Sequence, residues 1–136
     1  MKIFVICSKS AYPRIRELEP ELVEAGHELT MPNSYDDPGM EARQKGLGTA
    51  EHSQWKAGML RHSADVISGM DAVLVLNFDK GDAKNYIGGA TFLEMYDAFR
   101  LGKRIFLYNE IPDGILHDEI CGFDPTVLHG NLSLVK

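Results

Sequence analysis

The chain has 136 residues, 44% apolar and 25% charged, which suits a single globular domain over residues 1–136 with a core of its own. A net charge of −6 without a long basic cluster argues against a nucleic-acid groove, although local amides and one lysine can still hold a small anion. No run approaches the ~20 apolar residues of a membrane span, and the N-terminal MKIFVICS reads as a strand rather than a signal peptide.

Lys2 to Cys7 reads as a short apolar strand. Pro13 to Ala25 is an amphipathic helix ended by Gly26, with Pro20 placed to kink or divide it. His27 to Met31 is a second strand. Pro32 to Gly48 is polar and rich in Pro, Gly, Asp and Asn, the pattern of a functional or partly mobile loop. Thr49 to Met70 reads as a long helix. Asp71 to Asn77 is a continuous apolar run, as expected of a strand covered on both faces. Gly89 to Leu101 forms the next helix, Arg104 to Tyr108 a fourth strand, His117 to Cys121 one helical turn and Thr126 to Leu128 a short fifth strand. Strands alternate with helices throughout, so the expectation is α/β: a Rossmann-like or flavodoxin-like three-layer sandwich on a five-stranded, mainly parallel sheet of order 2-1-3-4-5. Cys7 and Cys121 are too few and too far apart for a disulfide framework or a metal site, and read as buried, reduced thiols of a cytoplasmic protein.

In such a sheet ligands gather where strands end and helices begin. Gly88-Gly89 opens the helix after the third strand, and Glu94 lies early in it, on a face with Ala90, Thr91, Ala98 and Leu101. A carboxylate on that small, apolar face is placed for a ligand site. The competing reading is a capping box, Thr91 as N-cap and Glu94 three residues on. After the first strand, Ser8, Lys9 and Ser10, with Tyr12 beyond, can hold a phosphate or a sugar hydroxyl, or can be an ordinary polar turn.

In the long helix, His52, Lys56 and Ser63 fall on the side of the apolar stripe through Trp55, Met59, Val66, Ile67 and Met70. His52 and Lys56 then share the edge with Glu94, unless the lysine snorkels outward and the histidine is a satisfied core residue. Asn85 and Tyr86 adjoin the glycine pair and are the better candidates in that loop. Asn33, Tyr35 and Asp36 can close over the edge from the second strand. Neither a P-loop, nor a dinucleotide fingerprint, nor a GxSxG elbow, nor paired metal-ligand spacing is present. One buried glutamate at an edge of this kind suits attack on an anomeric carbon, where a carboxylate stabilises or traps a cation-like sugar.

At Asp71-Ala-Val-Leu-Val-Leu, the glycine turn, Glu94, Ala98 and Gly102-Lys103-Arg104-Ile105 the chain resembles the nucleoside 2-deoxyribosyltransferase superfamily, including its relatives that hydrolyse deoxynucleoside 5′-monophosphates. The resemblance implies Glu94 as nucleophile at C1′ of a deoxyribose, a nucleoside or nucleotide substrate, no cofactor or metal, and a homodimer or higher homo-oligomer in which the region around His117 reaches a neighbouring site. Ser63 stands where the family commonly has an aspartate that assists the leaving base, eight residues before Asp71, and Ser8-Lys9-Ser10 stands where the hydrolases have a glycine-rich phosphate loop. A non-catalytic nucleotide-binding module of the same fold is therefore the alternative. The glycine turn also resembles that of the cytokinin-activating phosphoribohydrolases, with Thr91 one position early.

Overall fold

A computed structural model describes residues 1–136. The strands are β1 (Lys2–Ile6), β2 (Glu28–Thr30), β3 (Ala72–Val75), β4 (Arg104–Leu107) and β5 (Thr126–Val127). They form one all-parallel sheet in the order β2-β1-β3-β4-β5. The helices are α1 (Tyr12–Glu24), α2 (Met40–Leu47), α3 (Thr49–Ser68), α4 (Gly89–Arg100) and α5 (His117–Gly122).

Alternation along the strands sorts the core into two layers, because successive side chains point to opposite faces. Ile3, Val5, Leu74 and Phe106 pack with Ile15 and Leu22 of α1 and with Leu132 and Val135 near the C-terminus. Phe4, Ile6, Val73, Val75 and Leu107 pack on the other face with Ile67 of α3, Met95 and Ala98 of α4 and Ile120 of α5. Every residue of β3 is buried, which is why its sequence is apolar without alternation. The protein is thus an α/β, Rossmann-like fold with helices on both faces of the sheet. No helix is long and apolar enough to cross a membrane.

Three expectations need correction. The segment from Pro32 to Gly48 is not all loop, since Met40–Leu47 forms α2. That helix buries no residue, so the apolar period that betrays a helix is missing from its sequence. Pro20 does not divide α1 into separate elements, and the helix runs on through it at the loss of one main-chain hydrogen bond. Cys121 is exposed rather than buried, lying 3.5 Å from His117 Nε2, whereas Cys7 is half-buried.

At the carboxyl edge, Asn77 ties β3 to β4. Its fully buried side chain donates to the carbonyls of Asn109 and Glu110, at 3.3 and 2.9 Å, and accepts from the Asn109 amide at 2.8 Å. The Asn109 side chain donates back to the Asn77 carbonyl at 3.2 Å. This clamp fixes the edge from which the loop to α4 departs.

Candidate functional site

A cavity of about 390 Å³ opens at that edge, within the usual range for small-molecule sites. Glu94 stands in its wall beside Gly88, Gly89, Ala90 and Thr91. The N-cap of α4 is Gly88, with no side-chain cap, and the capping box does not form. Thr91 is buried inside the helix and Glu94 falls in its second turn. The leading amides of α4 are therefore left to the cavity, where the positive end of the helix favours negative charge. A Cβ added at Gly88 would make ordinary contact with the Tyr86 ring and hydroxyl at 3.4–3.8 Å, while one at Gly89 would meet no protein atom within 4 Å. Position 88 therefore has room for a side chain beside the tyrosine. At position 89 glycine keeps the space open to the cavity.

Glu94 is largely withdrawn from solvent and has no cation paired with it. Burial pushes its carboxyl up to about 7, with Asp97 adding to the shift and the Ser63 hydroxyl and the Lys56 charge opposing it. Ser63 is itself buried and held from behind, as Asn33 Nδ2 donates to its Oγ at 2.7 Å. The Ser63 hydroxyl accepts that bond, and its presence beside Glu94 lowers the carboxyl's pKa against the larger effect of burial. Nearby Cys7 is pushed up to about 12, first by burial and then by the Glu94 charge, so it is a neutral thiol and no competing nucleophile.

The opposite wall is polar. Glu41 of α2 accepts from His52 Nε2 and from Lys56 Nζ, each at 2.9 Å. These partners, His52 first, hold its carboxyl near 2 against the penalty of partial burial. His52 stacks on Trp55 with ring centroids 6.3 Å apart, and Lys56 lies 5.3 Å from the centre of the same indole. Tyr12 closes a third side, its hydroxyl sharing a 2.9 Å hydrogen bond with Ser34. Burial raises its pKa.

Of the residues expected at a site, Glu94, Ser8, Lys9, Tyr12, Lys56, Tyr86, Gly88 and Gly89 line this one cavity. The other four stand outside it. Ser10 is exposed and bonded to Ser8 at 3.1 Å. His52 backs Glu41 from behind the wall. Asn85 adopts a left-handed conformation, φ 52°, and its amide donates to Asp79 at 2.9 Å, so it shapes the turn. His117 bonds the Pro112 carbonyl at 3.1 Å and Cys121 on α5.

The cavity also includes Asn33, Glu41, Lys45, Ser63 and Lys80, which were not placed in a binding role from the sequence. Asn33 belongs to the segment expected to close over the edge, and its bond to Ser63 joins residues 30 positions apart that no local pattern connects. No group of three His, Cys, Asp or Glu side chains comes together as metal ligands. Comparisons with protein-family models, with curated proteins and with solved structures found no match.

Proposed function

We propose that the chain cleaves the N-glycosidic bond of a nucleoside or nucleoside 5′-monophosphate, or transfers its deoxyribosyl group, with Glu94 as nucleophile. The observation that carries this reading is a desolvated carboxyl, titrating near neutrality, in the wall of a cavity at the strand–helix edge. A Glu94 oxygen attacks C1′ as the bond from C1′ to the base nitrogen breaks, and the electron pair leaves with the base. Lys56 is the cation acting on Glu94 from within the cavity wall and is the group we assign to protonate the departing base. Water, or a second base, then attacks C1′ and returns the ester electron pair to Glu94, while the proton it sheds passes to the Lys56 amine left neutral by the first step.

Base release from a panel of deoxynucleosides and their monophosphates, followed by chromatography, tests the proposal. Release that disappears in Glu94→Ala supports it, and release unchanged in that variant rejects it. The serine at position 63 favours a second reading, a module that binds nucleotides without turning them over. A ligand that raises the melting temperature and emerges intact after prolonged incubation would select that reading.

The same proposal includes a cytoplasmic protein that assembles as a homodimer or higher homo-oligomer. Leu93, Tyr96 and Phe99 of α4 are exposed, and Tyr96 and Phe99 pack beside Phe123 with centroids 6.3 and 5.4 Å apart. An apolar aromatic surface of this kind is what an interface between copies covers. Sedimentation equilibrium measures the assembly, and a monomer at micromolar concentration would remove it from the proposal.

A further inference from the structure

A second cavity, of about 370 Å³, adjoins the first. Its lining is Lys9, Tyr12, Pro13, Arg16, Tyr35 and Pro38, and Lys9 and Tyr12 belong to both cavities. The two halves differ in lining. The first sets Glu41 and Glu94 among Lys9, Lys45, Lys56 and Lys80, whereas the second has two cations and no carboxylate, in a chain of net charge −6. Neither Lys9 nor Arg16 forms an ion pair, although Arg14, two residues away on α1, is paired with Glu17 at 2.7 Å. Tyr12 and Tyr35 meet edge to face, with centroids 5.7 Å apart and planes at 65°. The Tyr12 hydroxyl is engaged by Ser34, so that residue offers this cavity its ring.

Two unpaired cations beside two aromatic rings recognise a phosphate attached to a planar group, by charge-assisted hydrogen bonds and by stacking. We propose that the second cavity binds the phosphate-bearing extension of the ligand whose sugar lies against Glu94, so that the preferred ligand is a nucleotide longer than a monophosphate. The proposal rests on reading the first cavity as a nucleoside site. The base side of a nucleoside carries no phosphate, so the extension leaves from the sugar hydroxyls, passing Lys9 at the junction. Two sources share this chemistry, a phosphate chain and a phosphodiester-linked second nucleotide.

Isothermal titration at constant ionic strength separates them, using a deoxynucleoside, its 5′-monophosphate, its 5′-diphosphate, the corresponding dinucleotide and inorganic pyrophosphate. We expect at least a tenfold lower Kd for the diphosphate or the dinucleotide than for the monophosphate. Arg16→Ala should erase that gain and leave monophosphate binding unchanged, because Arg16 lines only the second cavity. Tyr35→Ala should erase the gain of the dinucleotide alone. A gain confined to the diphosphate identifies a phosphate chain, and a gain confined to the dinucleotide identifies a second nucleotide. Equal Kd values for monophosphate and both longer ligands, or equal weakening of all three by Arg16→Ala, would overturn the second cavity and leave the nucleoside reading standing. Pyrophosphate binding that depends on Arg16, with no binding of any nucleoside or nucleotide, would overturn the shared ligand together with the reading of the first cavity.

Discussion

Two glutamates face one cavity and emerge with opposite electrostatics. Both start from the same ordinary value of 4.5, yet Glu94 is raised to about 7 and Glu41 lowered to about 2. The difference lies in what each exchanges for water. Glu94 is desolvated on the sheet-side wall, forms no ion pair, and has only the nearby neutral Ser63 hydroxyl and the more distant Lys56 charge to lower its pKa. Glu41, on the α2 side, is only partly covered and gains His52 and Lys56 at 2.9 Å. Burial without a partner disfavours the charged form, and direct partners favour it. A carboxyl that changes protonation near neutrality can take part in chemistry at that pH. One locked as an anion serves to position its neighbours, here the lysine assigned to the leaving base.

Removing Glu94 breaks this pairing most severely. Once a reactive substrate is identified, Glu94→Ala should lower kcat/KM for base release on the order of 10³-fold or more, as expected for loss of a nucleophile. A loss below tenfold would place the nucleophile elsewhere. The isosteric Glu94→Gln sharpens the comparison from the side of stability. Folding raises the Glu94 pKa from 4.5 to about 7, so the folded state resists ionisation. This burden is absent below about pH 4.5, grows as pH rises, and is complete above about pH 7. Glu94→Gln should therefore stabilise the protein at pH 8, by an amount on the order of 3 kcal/mol at most, and hardly at all at pH 4. Urea unfolding at the two pH values measures it. The same gain at both would show that the carboxyl titrates normally.

How much of this could be read from residues alone differs by level. The sheet order follows from alternating apolar runs and helices, because burial of Ala72–Val75 on both faces leaves a signature in consecutive positions. The cavity's sheet-side wall was accessible too, since Gly88-Gly89 and Glu94 lie within seven residues of one another. The far wall was not. Helix α2 has no buried face to impose a period, so Glu41 looked like any charge in a polar stretch. The Asn33–Ser63 bond depends on the crossing of a loop over α3, which no local spacing encodes. Capping chemistry misled for a related reason. Thr91 and Glu94 have the right spacing for a box, but helix start was decided three residues earlier by Gly88, and the threonine was drawn into the packed layer.

Ser63→Ala tests whether the hydroxyl moderates the buried carboxyl. The hydroxyl lowers the Glu94 pKa, so its loss should move the Glu94 titration upward. Carbon-13 NMR of labelled glutamate reads this directly, without a substrate. In the pH profile of kcat/KM the acid limb should shift to higher pH, with the variant slowest relative to the parent below about pH 7. Asn33→Ala should act in the same direction and less strongly, because it only orients the serine. An unshifted Glu94 in Ser63→Ala would mean that the hydroxyl fills space and nothing more.

The smallest expected effect connects the two walls. Glu41 has its pKa lowered on folding, so its contribution to stability is present above about pH 4.5 and is lost as pH falls through about 2. Its side chain is about a quarter exposed, which screens the pair, and Glu41→Gln should cost about 1 kcal/mol or less near neutral pH. Its more telling consequence falls on Glu94. With Glu41 neutral, Lys56 loses its anionic partner, and its charge acts on Glu94 with less compensation. The Glu94 titration should then move down from about 7 toward the ordinary value, opposite in sign to the shift in Ser63→Ala. The same carbon-13 titration in Glu41→Gln measures that movement. If Glu94 stays where it is, Lys56 belongs electrostatically to the α2 wall alone, and the proton for the departing base must come from another group.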